Sequence, residues 1–240
     1  MASVSEKSFG ARLRNAQNLY GYITTFSNFN PQNPDDSPAA INALINDIVN
    51  VNNDIATHLQ NYQQAVDIRH NAFKDPNNSL SLDKRLATIR GFVQAQYGKN
   101  SQETQKIATI IKELRDGRLI KTEKKIDKKG KLRIHISTSQ QSYGSRAQSF
   151  SDLIRVLDTL PLYAPTLPDY TPTALQQFCN QLTTYGDNVI NSYYHITQTR
   201  DRRATLYDEL SARVSRIKSY IKAQYGNQSV ENRLTSGLTI

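Results

Sequence analysis

The chain repeats itself, and this constrains its fold more than any other feature. Shifted by 134 positions, Phe9-Gly10-Ala11-Arg12 falls on Tyr143-Gly144-Ser145-Arg146, Leu19 on Leu153 and Ile23 on Leu157. Pro31, Pro34, Asp35 and Pro38 fall on Pro165, Pro168, Asp169 and Pro172, and Asn46, Asp67 and Arg69 fall on Asn180, Asp201 and Arg203. The offset then becomes 128, and Leu82, Arg85 and Ile89 meet Leu210, Arg213 and Ile217. Ala95-Gln96-Tyr97-Gly98 meets Ala223-Gln224-Tyr225-Gly226, with Ser101 and Glu103 over Ser229 and Glu231. The six residues missing from the second copy fall at Phe73-Lys74-Asp75-Pro76-Asn77-Asn78-Ser79, a turn sequence. An ordered series of matches with a single gap is a tandem duplication.

Each copy reads as helices. Ile41, Leu44, Ile48, Val51, Ile55, Leu59, Tyr62 and Val66 recur at three- and four-residue steps, and Leu175, Phe178, Leu182, Val189, Tyr193 and Ile196 repeat the pattern with one seven-residue step. Pro38 and Pro172 stand where a first-turn proline belongs, behind Ser37 and Thr171 as N-caps. The spacing predicts helices near 8–27, 38–72 and 80–97, and their counterparts near 142–160, from 172 and near 206–225. Tyr97-Gly98 and Tyr225-Gly226 read as helix stops, and Ser101 and Ser229 as caps of a further helix. From Pro172 to Tyr225 the only breaker is Gly186. The repeat argues for a turn near 200–205, which is the expectation here. The missing loop argues instead for one helix of about 80 Å.

Residues 118–137 have no second copy. Leu132, Ile134 and Ile136 alternate with Arg133 and His135 after Asp127-Lys128-Lys129-Gly130, a pattern that predicts a β-hairpin between the halves. Charge gathers here. Residues 115–135 carry nine Lys/Arg against three acidic residues, +6 of the chain's net +9. The candidate partner or polyanion contact is Arg118, Lys121, Lys124, Lys125, Lys128, Lys129, Lys131 and Arg133. Lysine-rich segments bind phosphate without reading sequence. This stretch has no Tyr, Phe or Trp to stack on bases.

Composition narrows the chemistry. One cysteine excludes an internal disulfide framework, and no apolar run approaches a membrane span of about 20 residues. The first residues, Met1-Ala2-Ser3-Val4-Ser5-Glu6-Lys7, lack an apolar h-region, and the expectation is a soluble, cytoplasmic protein. His58, His70, His135 and His195 fall in no metal-ligand spacing and read as surface or packing residues. Cys179 reads as a small, partly buried residue beside Phe178. Asp47, Asp54 and Asp67 read as solvated helix faces, since the Glu-x-x-His motifs of a di-metal bundle are missing. Phosphate-loop, dinucleotide, nucleophile-elbow and zinc-helix motifs do not occur. Arg12, Arg146 and the Asp67–Arg69 and Asp201–Arg203 pairs are the polar residues shared by both copies outside caps and linkers. They read as buried ion pairs, or alternatively as a ligand groove used twice.

The Ala-Gln-Tyr-Gly-x-x-Ser-x-Glu segment, at 95–103 and 223–231, resembles stretches of uncharacterised bacterial helical proteins. The resemblance covers about ten residues per copy and implies no activity.

The expected fold is all-α, a tandem duplication of a three- to four-helix unit with a basic β-hairpin inserted. The expected division is 1–117 as first repeat, 118–137 as hairpin, and 138–240 as second repeat. No cofactor, metal or catalytic residue is assigned. The structural repeat residues are Pro38, Pro172, Tyr97, Gly98, Tyr225 and Gly226. The expected role is non-enzymatic scaffolding through protein–protein contacts, including a homo-oligomer or filament. The alternative is a nucleic-acid-associated protein holding phosphate on 118–135. Asn and Gln supply 38 residues, which suits a wet, hydrogen-bonded interface.

Overall fold

Serine and threonine caps open the helices. In the computed structural model, which describes residues 8–115 and 138–240, Ser8 Oγ accepts from the Ala11 amide and opens α1, Phe9–Ile23. A 3-10 turn, Pro34–Asp36, leads to α2, Pro38–Lys74, where Ser37 Oγ accepts from the Ala40 amide at 3.3 Å. α3 spans Leu82–Tyr97 and α4 spans Gln102–Arg115. α5 spans Thr138–Asp158, and a second 3-10 turn, Pro168–Tyr170, precedes α6, Pro172–Tyr225. Thr171 Oγ1 caps α6 on the Ala174 amide at 3.3 Å, the same bond that Ser37 makes. α7, Val230–Ser236, closes the chain behind Ser229, whose Oγ accepts from the Asn232 amide. These caps satisfy amide donors that a helix start leaves open.

Among the described residues every regular element is helical, and there is no strand. The expectation of an all-α fold carrying a β-hairpin is therefore corrected to an all-helical fold. Residues 118–137, on which the hairpin was placed, lie outside the described residues. No described strand offers a ladder to the short alternation at 132–136, and an isolated hairpin is marginal in water. Among the described residues, no helix is long and apolar enough to cross a membrane.

The expected turn near 200–205 is also corrected. α6 is one helix of 54 residues, about 81 Å long. The reason lies in the six missing residues. α2 stops at Lys74 because Pro76 follows and the loop supplies its own bonds. Asp75 Oδ1 accepts from the Asn77 amide, Asn78 Oδ1 from the Leu80 amide, and Ser81 Oγ donates to the Asp75 carbonyl. The second copy reads Arg202-Arg203-Ala204-Thr205 just before this point, with no proline or glycine, and Thr205 Oγ1 donates to the Asp201 carbonyl within the helix. The helix therefore runs on.

The described chain forms two compact units. Unit 1 holds residues up to Gln60 and from Tyr193 onward, and unit 2 runs from Asn61 to Ser192. Each unit joins the front of one repeat to the back of the other. The core of unit 1 sets Ala16, Leu19 and Ile23 of α1 and Ile41, Leu44, Ile45 and Ile48 of α2 against Tyr207, Leu210, Val214, Ile217 and Ile221 of α6. The core of unit 2 sets Phe150, Leu153 and Leu157 of α5 and Leu175 and Leu182 of α6 against Leu86, Ile89 and Val93 of α3 and Ile107 and Leu114 of α4. Most of these side chains are fully buried, each worth about 1.5–3 kcal/mol in transfer free energy.

Candidate functional site

Four arginines stack on four aromatic rings, two in each unit, and they obey the repeat. In unit 2, Phe73 and Tyr143 meet edge to face at 4.7 Å between centroids. Arg69 lies over the Tyr143 ring at 4.5 Å, and Arg146 over the Phe73 ring at 5.5 Å. In unit 1, Tyr207 and Phe9 pack at 4.7 Å, Arg203 lies over Phe9 at 4.2 Å, and Arg12 lies over Tyr207 at 4.8 Å. Phe9 and Tyr143 are repeat equivalents, as are Phe73 and Tyr207. Each unit thus holds one Phe, one Tyr and two arginines, with the two rings exchanged. A guanidinium over a ring face gains cation–π attraction, about 2 kcal/mol where water is excluded.

The edges of the guanidinium groups differ between the units. Arg146 Nη2 pairs with Asp83 Oδ1 at 2.5 Å in unit 2. Its equivalent Arg12 donates instead to the Tyr207 carbonyl at 2.9 Å and to Ser211 Oγ at 2.7 Å in unit 1. Nε of Arg12, Arg69, Arg146 and Arg203 is buried and makes no hydrogen bond. Arg69 is 3% exposed. Burial holds its guanidinium below the usual arginine range, and the Tyr143 and Tyr62 hydroxyls offset this only in part. Asp67 is exposed and takes a bond from Gln63 Nε2, so the two residues of the Asp67–Arg69 motif point to different surroundings.

Arg69 forms part of the wall of a groove in unit 2 with a volume of about 320 Å³. α5 supplies Tyr143, Gly144, Ala147, Gln148 and Ser151. α6 supplies Gln176, Cys179, Asn180, Leu182, Thr183, Gly186, Asp187 and Ile190, spaced along one helix face. Gly144 and Gly186 leave open space where other residues would place a Cβ. Cys179 Sγ donates to the Ala147 carbonyl at 3.4 Å, and burial pushes its thiol up, away from nucleophilic thiolate.

Pro38 and Pro172 open α2 and α6. Tyr97 and Tyr225 end α3 and α6, and Gly98 and Gly226 follow at φ +89° and +94°, a conformation that L side chains rarely adopt. Each tyrosine hydroxyl also ties down a connection: Tyr97 accepts from the Leu162 amide, and Tyr225 donates to the Ser27 carbonyl. Arg118, Lys121, Lys124, Lys125, Lys128, Lys129, Lys131 and Arg133 lie outside the described residues. His58 and His195 stack at 5.6 Å in unit 1. Among the described residues no three His, Cys, Asp or Glu side chains gather as a metal site.

The ring partners escape sequence reasoning. Aligned aromatics at 9/143 and 73/207, each a few residues from an aligned arginine, were the available signal. Phe73, however, reads there as part of a turn. No protein-family model, curated protein or solved structure matches the chain.

Proposed function

We propose that this protein is a non-enzymatic scaffold that works through protein–protein contacts, its first partner being another copy of itself. The observation that carries the reading is the apolar surface each unit leaves uncovered. In unit 1, Val230 and Leu234 stand one turn apart on α7, 57% and 43% exposed. In unit 2, Leu162 and Leu167 of the α5–α6 connection are 57% and 48% exposed. Their repeat equivalents are polar: Gln102 and Lys106 for the first pair, Asn28 and Asn33 for the second. The apolar residues are therefore particular to their positions. Two unlike patches on one chain suit a head-to-tail contact, which propagates or closes into a ring.

Light scattering after size exclusion tests it. The expected mass lies well above 27.2 kDa at low and high salt. Val230→Glu with Leu234→Glu, or Leu162→Glu with Leu167→Glu, returns it to the monomer. A wild-type monomer at high concentration overturns the reading.

The sequence favours a second reading, polyanion binding by residues 115–135, which carry +6 of the chain's +9. It predicts affinity for duplex DNA that falls steeply with salt and is lost when Lys124, Lys125, Lys128 and Lys129 become Glu.

A further inference from the structure

We infer that the groove in unit 2 binds the carboxylate of a small organic anion on Arg69, at a site independent of the scaffolding contacts. Arginine stays charged in proteins, and a buried charge is paired or bound. Arg69 is 3% exposed, lines the groove, and has the tyrosine hydroxyls of Tyr143 and Tyr62, not carboxylates, acting on its charge. Stacking on Tyr143 uses the face of the guanidinium. A carboxylate binds its edge, where the planar fork offers parallel N–H donors. Arg146, by contrast, already has Asp83 on its edge.

The rest of the groove narrows the ligand. Asn180 Oδ1 already accepts from Gln176 Nε2, which leaves the Asn180 amide nitrogen as a donor. Leu182 and Ile190 supply an apolar wall. One arginine faces the site, and Asp187 lines it as well, which disfavours a dianion such as phosphate. The groove volume of about 320 Å³ fits a small molecule with an apolar body. The first copy is an internal control. Arg203 stacks on Phe9 in the same way, but the positions of Cys179, Thr183, Gly186 and Ile190 are taken there by Ile45, Val49, Asn52 and Ala56.

Titration with benzoate, followed by amide NMR of the full chain, tests the site. Benzyl alcohol serves as the uncharged isostere and inorganic phosphate as the dianion. Benzoate is expected to shift the Gly144 and Gly186 amides saturably, and benzyl alcohol to bind about tenfold more weakly. Phosphate should leave both signals unmoved. Arg69→Met should abolish the benzoate response, while Arg203→Met keeps it. Gly186→Leu fills the groove without touching the arginine and should also abolish it, with the far-ultraviolet spectrum unchanged. The last variant holds the test open if Arg69→Met fails to fold. Equal binding of benzyl alcohol, a response that survives either groove variant, or no saturation up to the solubility limit overturns the proposal.

Discussion

Arg85 donates from Nη1 to the carbonyl oxygen of Asp169 at 2.7 Å, with donor and acceptor drawn from different copies of the repeat. The equivalent residues, Arg213 and Asp35, make the same bond at 2.8 Å in unit 1. One arginine on the helix of one copy thus fixes the 3-10 turn that leads into the long helix of the other.

Removing that arginine should loosen unit 2 more than its counterpart loosens unit 1. Arg85 is buried and also lies over Phe178 at 4.5 Å. Arg213 keeps Glu209 beside it and is less buried. Urea unfolding should show Arg85→Met costing about 2 kcal/mol and Arg213→Met about 1 kcal/mol. Equal costs near zero would sink the idea that these bonds hold the turns.

The stability of unit 2 should fall in alkali through Tyr163. Its hydroxyl donates to the Tyr170 carbonyl at 2.9 Å, and burial pushes its pKa well above the ordinary tyrosine value, with Tyr170 adding to the shift. The native state therefore holds this proton after the unfolded chain has released it. The contribution is complete below pH ~10 and is lost as pH rises beyond it. Tyr163→Phe should cost about 1 kcal/mol at pH 7. That difference should shrink or reverse above pH ~10. A constant difference across this range contradicts the assignment.

Proline tests the continuity of α6. Ala204 is exposed inside α6, one turn before Tyr207, and the first copy's loop begins just beyond the equivalent of Tyr207. Ala204→Pro should cost about 3 kcal/mol or more and reduce helicity. A silent substitution would restore the turn.

The thiol of Cys179 should be slow to alkylate. It is 4% exposed, and its pKa is raised by burial and by the Asp152 carboxylate. At pH 8 iodoacetamide should label it slowly in the native protein and quickly in urea. Equal rates would contradict its place in the core.

The repeat, the caps and the helix stops were all legible because each depends on neighbours in sequence. Ser37, Thr171, Ser229, Gly98 and Gly226 need only the residues beside them. The long helix was legible too, through a signal that outlasts the repeat. Leu175, Leu182, Val189 and Ile196 are buried at seven-residue steps, and Tyr207, Val214 and Ile221 continue after one eleven-residue step. Steps of seven and eleven both keep a helix in phase, so the buried stripe needs no turn. Aligning Arg203 with Arg69 hid this, because the alignment carried the first copy's loop along with it. The exchange of halves between units was not legible. It depends on which copy each helix face meets, and identical patterning leaves both pairings open. The stacked arginines share that limit, since charge patterns read as ion pairs whereas Arg69 and Arg203 rest on rings.

The exchange also dictates an order of events while the chain is being made. Tyr207 Oη donates to the Phe9 carbonyl, 198 positions upstream. When α1 leaves the ribosome, the stretch of α6 that will cover Leu19 and Ile23 has yet to be translated. At typical synthesis rates the wait is roughly ten to forty seconds. Unit 2 lies on one uninterrupted stretch, Asn61–Ser192, and is translated before the covering part of α6. The α1 face is therefore made long before its cover, whereas unit 2 is made in one piece. During those seconds Ala16, Leu19 and Ile23 have no cover from α6.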